Sequence, residues 1–169
     1  MINDTLPAKG ELAVFAEWKD GSKILIHKDL NLIVNAAKTA ILTSLYTSGI
    51  PSRAINTLRV GTGGTIDPEG LYVKPTLGTQ TSLNTQAEVS VGVPFEFPLT
   101  AIPDPANNKV VFVTDITYGV GVGLRLTEAA LYCGRVSDFT PPVIFSVKNH
   151  PGIVKSAEFS LHYEWIIRM

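Results

Sequence analysis

Hydrophobic and polar residues alternate along much of this chain, and a period of two predicts β-strands. The clearest case runs from Phe159 to Arg168, where Leu161, Tyr163 and Trp165 alternate with mostly polar residues. Successive side chains of a strand point to opposite faces, so this strand should bury one face and keep the other in water. Similar patterns predict strands at 11–18, 23–28, 55–60, 86–97, 109–118, 124–133, 143–148 and 156–168.

One segment, residues 32–47, has the periodicity of an amphipathic α-helix instead. Its apolar residues fall on one stripe, and Gly49 and Pro51 follow it, where they would end a helix. Seven or eight strands with one helix predict an antiparallel β-sandwich or barrel with one packed α-helix over about residues 32–47. We predict a single β-rich domain over 1–169, with an extended loop or arm at 61–84.

The composition favours a protein that associates with other proteins. Of the 169 residues, 45% are hydrophobic and only 17% are charged, whereas soluble domains average roughly 25% charged residues. A surface with little charge is weakly protected against association. The net charge is −1 and the cations are scattered, which argues against a groove that binds nucleic acid through its phosphates.

Neither secretion nor membrane insertion is indicated by the sequence. The first seven residues lack the basic start and apolar stretch of a signal peptide. No apolar run approaches the roughly 18 residues that a membrane-spanning helix needs. With one cysteine, no internal disulfide forms. We therefore expect synthesis in a cytoplasm.

The glycine-rich segments do not carry the motifs of a cofactor site. GTGGT at 61–65 lacks the lysine and the following helix of a phosphate-binding loop, and a plain turn is the simpler interpretation. GVGVG at 119–123 leads into a β pattern, whereas a dinucleotide fingerprint leads into a helix. The histidines lie in separate segments and no serine sits in a nucleophile motif. We predict no catalytic, cofactor-binding or metal-binding residues.

Glu128 is the one acidic residue in an unusual setting, inside the apolar segment 126–131. A buried carboxylate is costly unless it is paired or hydrogen-bonded. We interpret it as structural, with hydrogen bonds to backbone N–H groups of a loop that contains Gly61, Gly63 and Gly64. A catalytic acid is the alternative, but no second acid or base accompanies it.

Taken in order, several short segments resemble those of structural proteins from tailed-bacteriophage virions, of the tail, baseplate or fibre-adaptor type. In that family a helix precedes a strand with a Gly-Thr-Gly turn, and a glutamate-containing strand and two closing strands follow. The matching segments are NLIVNAAK at 31–38, LRVGTGGT at 58–65, LTEAALY at 126–132, IFSVK at 144–148 and KSAEFSLHYEWII at 155–167. Ala129 and Ala130 depart from the family, which usually has glycine there, and residues 119–123 enlarge a turn.

The resemblance implies a non-enzymatic virion structural protein, an oligomeric connector or adaptor in the tail at the baseplate, a fibre attachment or the neck. Its partners would be copies of itself and neighbouring tail, baseplate or fibre proteins, without nucleic acid or membrane. The N-terminal segment 1–10 and the 61–84 arm are the predicted contacts. In the arm these contacts would include Thr65, Asp67, Tyr72, Lys74 and Thr79.

Two other functions fit the same sequence. A carbohydrate- or receptor-binding module of the tail would use exposed aromatic residues, for which Trp18, Tyr72 and Tyr118 are candidates. A capsid decoration protein differs from the connector only in its location in the virion.

Overall fold

The computed structural model describes residues 9–34, 37, 54–64, 80–133 and 142–168, and these form mainly antiparallel β-sheet. The predicted β-rich fold class is therefore confirmed. The strands are β1 Lys9–Trp18, β2 Lys23–Ile33, β3 Ile55–Gly61, β4 Glu88–Ser90, β5 Val93–Pro94, β6 Glu96–Pro98, β7 Thr100–Asp104, β8 Lys109–Ile116, β9 Arg125–Cys133, β10 Val143–Val154 and β11 Phe159–Arg168.

Nine of these strands form one sheet in the order β6-β3-β9-β10-β2-β1-β11-β8-β7. Strand β2 joins its two halves, because residues 23–31 pair with β1 whereas Leu32 and Ile33 pair with β10. The two end strands, β6 and β7, are separated in sequence only by Leu99, whose N–H donates to the Asn56 carbonyl. The sheet therefore curves back on itself, because its two end strands are consecutive in the chain.

The core lies between the inward faces of this sheet. Strand β11 buries the face that alternation predicts. The side chains of Leu161, Tyr163, Trp165 and Ile167 are at most 5% exposed. Their neighbours come from β1, β3, β8, β9 and β10. The largest contributions are Leu12, Val14, Leu58, Val60, Phe112, Leu126, Leu131 and Phe145.

The predicted helix over 32–47 is not borne out by the described residues. Leu32 and Ile33 continue β2, because they pair with Val147 and Ser146 of β10. Ala37 is helical and buried, and the rest of the segment beyond Val34 lies outside the described residues. The tertiary pairing with β10 thus overrides the helical periodicity at the start of the segment.

The segment predicted as one strand at 86–97 is instead a hairpin followed by a strand. Strands β4 and β5 form a separate two-stranded sheet around a turn with Gly92 at φ 77°. Strand β6 then pairs with β3. Strand β7, which follows, contains Pro103 and pairs with β8 on one side only, as expected for a proline in an edge strand.

Replacing a core leucine should show which face holds the fold together. Leu12→Ala removes a fully buried side chain in β1, so the free energy of unfolding should fall by about 2–5 kcal/mol. Leu30→Ala is the matched control, because Leu30 is 64% exposed and should change stability by less than about 0.5 kcal/mol. Urea unfolding measures both, and equal losses would contradict this assignment of the core.

Candidate functional site

The Glu128 carboxylate is fully buried and lies where three segments of chain meet. One oxygen, Oε1, accepts from the backbone N–H groups of Gly63 at 2.9 Å and Thr85 at 3.0 Å. The other, Oε2, accepts from the Asn84 backbone N–H at 2.8 Å and from its side-chain amide at 2.9 Å. The structure thus brings Glu128 together with the glycine-rich turn, as the sequence interpretation expects.

The glycines of this turn make that approach possible. A Cβ at Gly63 would lie 2.6 Å from Glu128 Oε1 and 2.5 Å from the Thr85 nitrogen. A Cβ at Gly61 would lie 2.8 Å from the same carboxylate oxygen. Gly64 has φ 102°, a conformation that favours glycine. The Thr127 hydroxyl also donates to the Gly63 carbonyl, so both sides of the turn are fixed to β9.

A second buried charge, Arg59 of β3, ties neighbouring segments together in the same region. Its Nε and Nη2 atoms donate to Glu96 Oε1 of β6 at 3.0 and 2.6 Å, and Nη1 donates to Gln86 at 3.2 Å. Its guanidinium carbon lies 4.4 Å from the centre of the Tyr132 ring. Charge pairing and cation–π contact therefore hold β3, β6 and β9 together.

Lys155 was not singled out by the sequence, yet its side chain is almost completely buried. Its Nζ donates to the carbonyl oxygens of Tyr118 at 3.0 Å, Ser156 at 2.6 Å and Phe159 at 2.6 Å. An ammonium group has three protons to donate, so these acceptors occupy all of them. Burial lowers the pKa of Lys155. Its three hydrogen bonds connect the backbone at Tyr118 with that at Ser156 and Phe159.

A cluster of polar side chains lies between β2, β10 and β11, in which His150 and Tyr163 are buried and His27 is half-buried. The rings of His27 and His150 are 5.9 Å apart, and the rings of His150 and Tyr163 are 6.3 Å apart. His150 Nδ1 lies 2.9 Å from the Pro151 carbonyl, which only accepts, so Nδ1 carries the hydrogen. No described residue makes a hydrogen bond to the Tyr163 hydroxyl or to Nε2 of either histidine.

Burial keeps both rings neutral at pH 7. It lowers the pKa of His150 to about 4, and the bond to Pro151 acts in the opposite direction, while the neighbouring His27 and the Lys148 ammonium also lower it. Burial, followed by Lys148, also lowers the pKa of His27, although Asp29 opposes this. Lys148 is itself buried and pairs with Asp29. His150 lies inside β10, which extends beyond the strand predicted at 143–148.

The hydrogen bonds of Glu128 are all made to groups of the surrounding loops. Four N–H donors occupy the Glu128 carboxylate, and an acid in that state has no exposed oxygen for a substrate. The described residues contain no group of three or more His, Cys, Asp or Glu side chains that would hold a metal ion. Cys133 is buried in β9, where a small apolar residue would also fit.

Several residues singled out from the sequence lie outside the described part of the chain. They are the predicted assembly contacts Thr65, Asp67, Tyr72, Lys74 and Thr79. Of the candidate sugar-binding aromatics, Trp18 packs against Phe159 with ring centres 5.6 Å apart. Tyr118 is partly buried, with Lys19 at 5.8 Å from its ring.

Comparison of the chain with protein-family models, curated proteins and solved structures finds no match. No helix among the described residues is long and apolar enough to cross a membrane. The geometry of the side chains is therefore the basis for a functional conclusion.

Neutralising Glu128 should destabilise the fold. Glu128→Gln keeps one acceptor oxygen but turns an amide NH₂ toward N–H donors, so we expect a loss of about 2–4 kcal/mol in the free energy of unfolding. Glu158→Gln removes the same charge from an exposed position and is the control. Equal stability of the two variants in urea would show that the Glu128 contacts are dispensable.

Acid should weaken the protein through His150. Its pKa is about 4 when folded against 6.5 as the ordinary value, so below pH 6.5 the unfolded chain binds a proton that the folded chain does not. The free energy of unfolding should therefore decrease by about 2 kcal/mol between pH 7 and pH 5. Urea unfolding of the wild type and of His150→Phe at both pH values checks this. The variant should lose less stability on acidification, and an unchanged pH dependence would contradict the assignment.

Proposed function

We propose that this chain is a non-enzymatic structural subunit that assembles through its surface, as an oligomeric connector in the tail of a bacteriophage virion. The resemblance of the segments between 31 and 167 supports the virion assignment. The observation that carries the proposal is the number of large apolar side chains exposed on described strands and turns. They are Ile24, Leu25, Ile26, Leu30, Val89, Val91, Val93, Ile102, Val122 and Val154.

Seven of these side chains lie on two elements, β2 and the β4–β5 hairpin. Four of them lie on β2, with exposures between 38% and 64%. Within the described residues, no strand pairs with the outer edge of residues 23–31. An unpaired strand edge with apolar side chains is a template for docking another chain, and proteins that remain monomeric rarely expose such patches.

The hydrogen bonds made by the buried charged side chains support the same proposal. Glu128, Arg59 and Lys155 make hydrogen bonds that hold loops and strands in place. A rigid β-rich body with apolar outer surfaces suits a building block whose shape must be constant. We propose a sandwich-like or barrel-like body, to which the N-terminal segment 1–10 and the 61–84 arm would add contacts with neighbouring tail proteins.

Light scattering of the purified protein at low and high micromolar concentration tests this proposal. We expect a discrete oligomer, or a mass that rises with concentration, because apolar surface is buried on association. The subunit mass of 18.2 kDa is the reference. A mass that stays at that value over the whole range would contradict self-assembly and favour a monomeric binding module.

A further inference from the structure

A short seam between β2 and β10 joins the two halves of the nine-stranded sheet. Strand β1 pairs with β11 through ten residue pairs, and β9 pairs with β10 through eight. Within the described residues, β2 and β10 share only two pairs, at Leu32 and Ile33. Beside these pairs the Val34 N–H donates to the Phe145 carbonyl at 3.1 Å. Few backbone hydrogen bonds therefore hold the two halves together along this seam.

Strand β2 turns polar side chains toward the main core next to the seam. His27 and Asp29 lie directly opposite Val14 and Leu12 of β1, which are fully buried core residues. Directly opposed residues place their side chains on the same face of a sheet. His27 and Asp29 are therefore on the core side of β2, where apolar residues would be expected.

Strand β10 adds two more polar side chains to the same place. Lys148 lies opposite the core residue Ala129 of β9, is almost completely buried and pairs with Asp29. His150 is buried as well, at the irregularity of the β9–β10 ladder between residues 149 and 153. Its ring lies 5.9 Å from the ring of His27. The seam is thus bordered by polar groups, whereas the remaining core is mainly apolar.

Three polar atoms of this cluster have no hydrogen-bond partner among the described residues. They are Nε2 of His27, Nε2 of His150 and the hydroxyl of Tyr163. Tyr163 of β11 lies opposite Val14 on the side away from His27, so it faces the same part of the core. A buried polar group without a partner is less stable than the same group in water. Opening the seam would hydrate these atoms, so they do not favour the closed form.

Protonation of both histidines would place like charges together in the closed seam. The described titratable and charged groups that face the rings are Asp29 from β2, Lys148 from β10 and Tyr163 from β11, and β1 contributes the apolar Val14. With both rings charged, three cations would face the single carboxylate of Asp29. Burial lowers the pKa of both histidines, and Lys148 acts in the same direction.

We propose that the β2–β10 seam is an acid-sensitive joint, which opens locally below about pH 6 as His27 and His150 take up protons. The closed seam keeps the rings neutral, whereas an open seam exposes them to water, where they bind protons at their ordinary pKa. Acid therefore favours the open form. The joint lies within one chain, so it does not depend on the proposed assembly. Its opening would separate β2, which carries four exposed apolar side chains, from β10.

Hydrogen exchange of single backbone amides at pH 7 and pH 5 tests the joint. The pKa of His150 is about 4 when it is buried, against 6.5 as its ordinary value. The opening equilibrium at the Val34 N–H should therefore increase about twentyfold at pH 5, once the intrinsic exchange rate is divided out. This exchange should depend little on urea, because local opening exposes little surface. Amides of β11 should exchange through global unfolding and stay better protected at both pH values.

Two variants separate the joint from a general effect of acid. His150→Phe removes a titrating ring from the seam, so the change at Val34 should shrink to less than about fivefold. His162→Gln removes a histidine from the opposite face of β11, where the ring contacts Asp115 at 2.7 Å, and should keep the full change. Equal pH dependence of His150→Phe and the wild type would contradict the proposal.

The wild-type protein alone also decides the question, if His150→Phe does not fold. A Val34 amide that exchanges with the same urea dependence and the same protection as the β11 amides would show that the seam opens only with global unfolding. A Val34 amide with equal protection at pH 7 and pH 5 would show that its opening binds no protons. Either result overturns the acid-sensitive joint.

Discussion

The buried carboxylate of Glu128 fixes the relation between segments that the chain keeps far apart. It projects from β9 and binds backbone N–H groups of the turn after β3 and of the segment before the β4–β5 hairpin. A charge without water is stable only when donors surround it, so these loops cannot move away without a large cost. Arg59 and Glu96 strengthen the same junction. The position of the β4–β5 hairpin depends on this region, because residues 86 and 87 connect Thr85 to β4.

The same constraint explains why the polar interior is structural. Lys155 donates to three carbonyl groups, and Lys148 pairs with Asp29. These bonds compensate the burial of charge. Apolar side chains, in contrast, remain exposed on β2 and on the β4–β5 hairpin.

Much of the strand content could be predicted from the sequence, because alternation records which side chains are buried. Strands β1 and β11 follow their patterns closely, and Glu128 was marked by its apolar neighbours. Strand β2 forms where its pattern predicts, but Ile24 and Ile26 are exposed. The failures have physical causes as well. Leu32 and Ile33 have helical periodicity but join β10, and Pro103 suggests a break although an edge strand tolerates it. His150 gave no signal, because its burial depends on His27 and Tyr163 in other strands.

By itself the sequence determined that this is a β-rich protein with low surface charge, and it marked the glutamate that must be hydrogen-bonded. Periodicity is a local property, so it specifies a buried face without specifying the neighbouring strand. Only the tertiary structure decided that β2 joins the two halves of the sheet and that His27 lies beside His150. Each of these depends on contacts between residues distant in the chain, such as Asp29 and Lys148, which are 119 positions apart.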